Sequence, residues 1–391
     1  MISWLDASVD EQRRMRELAA LFTQRESRDE LGLGQIRDSI SDALFPGTST
    51  LHTRARYLLF VPWCFQYAAR AKPARRVKRL DEVERAIIRP LRESADPDGL
   101  LGLRAGAALK NLPSSVYWSM LRRYEILSRP VGSAEALDHS VPTRHIDDDG
   151  AVTMTSIWSV PPPPAGFPYE IPDGFALTPS EAGWLRDHIL EHASGTLLTH
   201  FTLTRPETDS STPWSDAAAQ TAPKRAALVL RHAEDFSTVM HGAQLLYNYL
   251  LAVDADRLGA REESLADTYR EQFELWAMTV TERTRAWRFD DLHTVLRREH
   301  DGPVVIAPGA QAFVRAWSSL VQSYPARALV DLPEAQQLIR HRERIKGAKM
   351  RLGNAKRLAA WSGAAGSEAL TYRWNNVRRI MADLHDGLQR A

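Results

Sequence analysis

The 391-residue chain has one cysteine, Cys64. A single thiol forms no disulfide within the chain, which fits a reducing compartment, and it leaves no cysteine cluster for zinc or iron–sulfur. Cys64 stands between Trp63 and Phe65 and reads as a small buried hydrophobe. Long apolar runs are also missing. The longest, 239–253, is interrupted by His241, Gln244 and Asn248 and is too short to span a bilayer. The first residues carry Asp6, Asp10 and Glu11 rather than a basic start and an apolar run, so no signal peptide is expected. Net charge is nearly absent: 50 basic against 49 acidic residues give +1. The whole molecule is therefore no polycation, and any affinity for nucleic acid has to come from local clustering. Also lacking are a Walker loop, a G-x-G-x-x-G after a strand, a G-x-S-x-G elbow and an H-x-K phosphodiesterase motif. These absences point to a cytoplasmic protein without membrane segment or cofactor, and move the expectation from catalysis toward binding or assembly.

What is present is ordinary globular material, 44% apolar and 25% charged, long enough for two or three domains. The fold class expected is mainly α: a multi-helical chain with few short strands. Its organisation is expected to be an N-terminal helical domain (1–130), a Pro/Gly-rich connector (131–176) and a C-terminal helical domain (177–391). Ser8 with Glu11 reads as a capping box for a first helix at 8–22. The connector holds Asp147-Asp148-Asp149, Pro161 to Pro164, Pro168 and Pro172. Prolines at that density exclude helix, and one hairpin is expected within 151–160. The aspartate run reads as a solvated turn rather than a cation site. Trp158, Phe167, Tyr169 and Phe175 imply that the stretch packs on something.

The densest local signal is 36–66. Ile36, Ile40 and Leu44 keep helical spacing, with Asp38 and Asp42 on another face. Gly47 supplies a sharp turn after Pro46. Thr48 or Ser49 is then expected to cap a second helix running to about Phe60, ended by Pro62. That helix start offers an anion site from Thr48, Ser49, Thr50, Arg54 and Arg56. The plainer reading is a capped helix hairpin whose arginines pair with Asp38 and Asp42.

The stretch 68–92 carries nine basic residues against three acids, with Val83, Ile87, Ile88 and Leu91 as a buried helical stripe. Together with a helix from Pro113, the order over 80–127 is compatible with a helix-turn-helix, although ordinary packing of short helices gives the same pattern. A helix over 179–193, capped by Thr178, carries His188, Glu191 and His192 in H-x-x-E-H order. This is the order of an inverted zinc peptidase. Three specified positions match by chance, and no third ligand is evident, so no metal site is assigned. Helices are expected over 224–256, with Phe236, Met240, Ala243, Tyr247 and Leu250 as one stripe, over 264–287 and over 310–321, with a short strand at 304–306. The Met and aromatic stripes read as core, and His241 as a hydrogen-bonded core histidine.

The strongest electrostatic signal is 340–379. Eleven cations (Arg340, Arg342, Arg344, Lys346, Lys349, Arg351, Lys356, Arg357, Arg373, Arg378 and Arg379) face only Glu343 and Glu368, a local balance of +9. Trp361, Tyr372 and Trp374 are interleaved. Cations neutralise phosphates and aromatics stack on unpaired bases. Alternatively, the aromatics anchor a core and the cations meet acidic protein surface.

The run Phe45 to Thr50 followed by Thr53-Arg54-Ala55-Arg56-Tyr57, with Trp4-Leu5-Asp6, resembles an uncharacterised bacterial family, the domain of unknown function numbered 6361. The likeness continues in Pro113 to Trp118, Val239 to Ala252 and Tyr372 to Ile380, and so covers nearly the whole chain. Where the family pattern has Gln, this chain has His52, to which no role is assigned. The resemblance brings no activity. It implies a setting among helicase and phospholipase-D-like nuclease genes in phage-defence loci. The resulting expectation is a non-catalytic nucleic-acid-binding or adaptor subunit of a phage-defence or DNA-processing assembly, with DNA in preference to RNA and a helicase or nuclease subunit as partners. The alternatives are a protein–protein scaffold and an unrecognised nuclease or hydrolase; for a nuclease, Asp38, Asp42 and Asp383 are the acids available.

Overall fold

A computed structural model describes residues 30–141, 143–146, 152–299 and 305–390. The helix at 8–22, Trp4-Leu5-Asp6, the Asp147-Asp148-Asp149 run and Val304 lie outside the described residues.

The chain is mainly α-helical. In order come α1 (Gly34–Leu44), α2 (Tyr57–Ala69), α3 (Arg76–Ala86), α4 (Ile88–Arg92), α5 (Pro113–Arg123), α6 (Ser133–Asp138), β1 (Thr143–Ile146) and β2 (Val152–Thr155). There follow α7 (Pro179–His192), α8 (Leu197–Leu203), α9 (Lys224–Arg257), α10 (Ala266–Thr279), α11 (Glu282–Ala286), α12 (Phe289–Glu299), α13 (Pro308–Ser323), α14 (Pro333–Arg344), α15 (Ala355–Ala359) and α16 (Trp374–Gln389). The two strands form one antiparallel hairpin, Thr143 opposite Thr155.

By contacts the chain divides into two compact units. One holds Leu44–Ala226 with Arg373–Ala391, the other Ala227–Tyr372 with the segment ending at Ala43. The Pro-rich stretch 131–176, expected as a connector, lies inside the first unit.

The first unit is built on α2, eleven of whose thirteen residues are buried. A helix apolar all round belongs in a core, and α2 packs against α3, α5 and α6. The expectation of a helix starting at Thr48 and ending at Pro62 is corrected on both counts. Gly47 does turn the chain, at φ +77°, but residues 48–56 stay outside helix, and α2 starts at Tyr57 and runs through Pro62 to Ala69. An interior proline costs about 3 kcal/mol. Burying Phe60, Trp63 and Phe65, at roughly 1.5–3 kcal/mol each, outweighs it. The proline-rich stretch packs on this helix: Trp63 Nε1 donates to the Pro161 carbonyl at 2.7 Å, and Phe167 meets Phe60 and Trp63. α7 begins at Pro179 behind Thr178, whose hydroxyl accepts the Glu181 N–H while the Glu181 carboxylate accepts the Thr178 N–H, a full capping box. Over 80–127 the chain forms α3, α4 and α5. A three-residue turn, Gly106–Ala108, stands between α4 and α5, and Pro113, Val116, Tyr117, Met120 and Leu121 of α5 are buried.

The second unit is built on α9, continuous for 34 residues. Phe236, Met240, Ala243, Tyr247 and Leu250 are all buried, and so are Leu246 and Leu251. Trp317 Nε1 donates to the Val239 carbonyl and Trp276 Nε1 to that of Thr238, both at 2.7 Å. Trp276 lies over Gly242, where an added Cβ would come within 2.2 Å of the indole. Asn248 donates to and accepts from the backbone of Ala365, pinning that loop to the helix. The single helix expected over 264–287 is two, α10 and α11, because Thr281 caps a new start by accepting the Thr284 N–H. No strand forms at residues 305–306.

Candidate nucleic-acid interface

The basic block 340–379 is divided between the two units. Arg340 to Arg357 belong to the second unit, and Arg373, Arg378 and Arg379 to the first. α14 buries Ala335, Ile339 and Glu343 on one side, and this sorts the cations that follow. Lys346 Nζ donates to Glu30 Oε2 at 2.7 Å and Tyr247 Oη at 3.0 Å, and also pairs with Glu343. Arg351 Nη1 pairs with Glu30 at 2.7 Å, and its backbone N–H donates to Glu343 Oε1 at 2.6 Å. Burial pushes the Glu30 carboxyl up, but Lys346 and Arg351 outweigh it and hold it below its ordinary value. Arg342 donates to the Leu31 carbonyl at 2.7 Å and lies over the Phe313 ring. Arg340 faces Asp254 at 3.9 Å. In the first unit, Arg373 donates to the Thr48 carbonyl, Arg378 to that of Ser210, and Arg379 to Asp98.

Seven of the eleven proposed phosphate ligands are thus engaged within the protein. Four remain: Arg344, Lys349, Lys356 and Arg357 are exposed and make no ion pair among the described residues. The aromatics of the block are not available to bases. Trp361, Tyr372 and Trp374 are buried, with the Tyr372 hydroxyl on the Ala233 carbonyl and Trp374 Nε1 on that of Ser210.

A second set of free cations lies in the first unit, where the sequence reading counted basic residues without naming a site. Arg70, Lys72, Arg75 and Lys78 are exposed and make no ion pair among the described residues. They sit on the turn into α3, where Lys72 is extended ahead of Pro73, as a residue before proline must be. Within this stretch Arg76 pairs with Asp138, and Arg79 with Glu82. Arg79 also reaches the hydroxyl of Tyr169 at 3.2 Å, and that ring is 59% exposed. It is the exposed aromatic that the C-terminal block lacks.

The anion site expected at Thr48 to Arg56 loses its premises. No helix starts there, and both arginines are buried in internal pairs. Arg54 Nε lies 3.1 and 3.0 Å from the two oxygens of Asp383, and its Nη1 2.6 Å from Asp96. Burial pushes the Asp383 carboxyl up, against Arg54 and the Ala55 N–H, which favour its charged form. Arg56 pairs with Glu181 at 3.0 Å and donates to the carbonyls of Pro172 and Gly174. Neither uses Asp38 or Asp42; Asp38 pairs with Arg37. The Thr48 hydroxyl donates to the Phe45 carbonyl, Ser49 Oγ accepts the Leu51 N–H, and the Thr50 carbonyl accepts from Asn376. His52 is fully buried between the Ser49 N–H, which its Nδ1 accepts, and the Val116 carbonyl, to which Nε2–H donates. Cys64 is buried, and burial pushes its thiol well up, which leaves no reactive thiolate.

His188 and His192 share one face of α7, their rings 5.9 Å apart. Both nitrogens of His188 are occupied, Nδ1 by the Tyr124 carbonyl at 2.8 Å and Nε2 by Ser159 Oγ at 3.3 Å. Among the described residues no group of three His, Cys, Asp or Glu side chains is arranged to hold a metal, and no helix is long and apolar enough to cross a membrane.

A family model described as "Family of unknown function (DUF6361)" matches residues 1–387. The chain belongs to the DUF6361 family. No curated protein and no solved structure matches it. For this DUF6361 member the family description names no activity, and a functional reading has to rest on the free cations above.

Proposed function

We propose that this protein binds nucleic acid through the phosphate backbone, as a subunit of a DNA-processing or phage-defence assembly. The reading rests on one observation. In a chain of net charge +1, two short stretches each carry four exposed cations that make no ion pair among the described residues, Arg70, Lys72, Arg75 and Lys78 in the first unit and Arg344, Lys349, Lys356 and Arg357 in the second. Clustered like charges repel, and a polyanion relieves that repulsion while releasing its own counterions. Contacts to phosphate position a protein without reading sequence, so binding is expected to be sequence-independent and salt-sensitive. Because the C-terminal aromatics are buried, that stretch grips backbone only. Base stacking falls to Tyr169 beside Arg79.

DNA in preference to RNA, and a helicase or nuclease partner, follow from the family resemblance and from no residue here. Fluorescence anisotropy with labelled duplex DNA, single-stranded DNA and duplex RNA tests the reading. Charge reversal of either stretch is expected to weaken duplex binding, and Tyr169→Ala to weaken single-strand binding alone. Failure of the folded wild type to bind any of the three at about 50 mM salt would overturn it.

A further inference from the structure

The sequence motif that suggested zinc points to different chemistry once its partners are seen. His188 Nδ1 lies 2.8 Å from the Tyr124 carbonyl. A carbonyl only accepts, so Nδ1 carries the proton and the neutral ring presents its Nε2 lone pair on the other side. What stands there is the Ser159 hydroxyl, at 3.3 Å. The three groups are in the order hydroxyl, imidazole, orienting acceptor, which is the arrangement of an activated serine with a backbone carbonyl in the third place.

The framework around them is fixed. Ser159 N–H donates to the Ile126 carbonyl and Ser128 N–H to that of Ile157, both at 2.9 Å, so the segment that bears the serine is tied to the chain that bears Tyr124. Glu125, next to Tyr124, holds φ +51°, a left-handed conformation that a non-glycine residue adopts at a cost and that clusters at functional sites. Trp184 stands edge-on to the His188 ring at 5.0 Å, with its buried Nε1 unpartnered among the described residues. Buried donors without a partner are rare. Ser159 itself is exposed, and His188 half-buried, so a substrate can reach both. The N–H of Val160, the residue after the serine, makes no hydrogen bond among the described residues, and that position commonly supplies an oxyanion donor.

We infer that Ser159 and His188, with the Tyr124 carbonyl as positioning group, form a nucleophile–base pair for carboxylic esters. Ser159 Oγ attacks the ester carbonyl carbon as its proton passes to His188 Nε2. The tetrahedral adduct collapses, the bond to the leaving alkoxide breaks, and that oxygen takes the proton from His188. Water, deprotonated by His188, then attacks the acyl-serine and releases the acid, restoring Ser159. This goes beyond the phosphate-binding reading and does not depend on it.

The test is labelling of the full chain with a fluorophosphonate probe, peptide mapping of the adduct, and hydrolysis of p-nitrophenyl acetate. The probe is expected on Ser159. Ser159→Ala and His188→Gln, both checked for folding by circular dichroism, should each lose labelling and at least about 100-fold of the turnover, a general base being worth roughly 10²–10⁴. Glu191→Gln, on the exposed side of α7, should retain both. A folded wild type that is not labelled, or labelling that persists in Ser159→Ala, would overturn the assignment.

Discussion

Arg54 grips Asp383 through Nε, at 3.1 and 3.0 Å to the two carboxylate oxygens, while Asp383 also accepts the Ala55 N–H at 2.9 Å. The pair is buried and joins residues 329 positions apart within the first unit, so α16 is fixed to the loop that precedes α2. Removing one partner of a buried pair strands the other charge, which typically costs 3–5 kcal/mol. Asp383→Asn is therefore expected to destabilise the first unit by about 3 kcal/mol or more. Replacing both partners by apolar residues of similar volume should recover part of the loss. Urea denaturation of the two single variants and the double variant checks this; a cost for Asp383→Asn within about 0.5 kcal/mol, the size of a neutral surface change, would contradict it.

His52 gives a pH dependence of definite sign. Burial pushes its pKa down to about 4, with the Arg373 charge acting the same way and the Val116 hydrogen bond against it. An unfolded histidine titrates near 6.5. Between these values the unfolded chain binds a proton that the native state refuses, so stability is full above about 6.5 and falls as pH is lowered toward 4. Glutamine has one acceptor and one donor group for the same two partners, the Ser49 N–H and the Val116 carbonyl. His52→Gln is expected to flatten the stability curve over that window with little change at pH 7. Parallel curves for the two proteins would sink the assignment.

Close packing of α10 on α9 depends on Gly242. Alanine there would gain about 1 kcal/mol of helix propensity, but its Cβ would fall 2.2 Å from the Trp276 ring. Overpacking typically costs 1–3 kcal/mol, and the Trp276 Nε1 bond to the Thr238 carbonyl opposes any shift of the indole. Gly242→Ala is expected to be net destabilising, read as a lowered denaturation midpoint. An unchanged or raised midpoint would mean that α10 slides freely on α9.

Much of the helical framework was legible because its signals are local. Ile36, Ile40 and Leu44 mark α1, Thr178 with Glu181 marks the start of α7, and the stripe from Phe236 to Leu250 marks α9. The failures come from long-range partners. Nothing near Pro62 says that Phe167 and Pro161 will cover that helix and carry it through the proline. Charge counting over 340–379 could not separate Lys346 and Arg351, which meet Glu30 and Tyr247, from Arg344 and Lys349, which make no ion pair among the described residues. The same limit hid the fate of Arg54 and Arg56, whose partners Asp383 and Glu181 are remote in sequence. The Ser159–His188 contact was half legible: the histidine stood out in its motif, but the serine that faces it lies 29 residues earlier, after a β-hairpin.

The proposed interface is tested most directly by the salt dependence of duplex-DNA binding, measured from about 50 to about 200 mM salt. The wild type is compared with two quadruple charge reversals, one of Arg344, Lys349, Lys356 and Arg357 and one of Arg70, Lys72, Arg75 and Lys78. Log affinity should fall linearly with log salt for the wild type. Each phosphate contact contributes a slope of about −0.9, so each quadruple variant should bind more weakly and lose up to about 3.6 of slope, roughly uniformly across sequences. A wild type that fails to bind even at low salt, or variants that keep the full affinity and slope, would contradict the account and make both stretches surfaces for acidic protein partners.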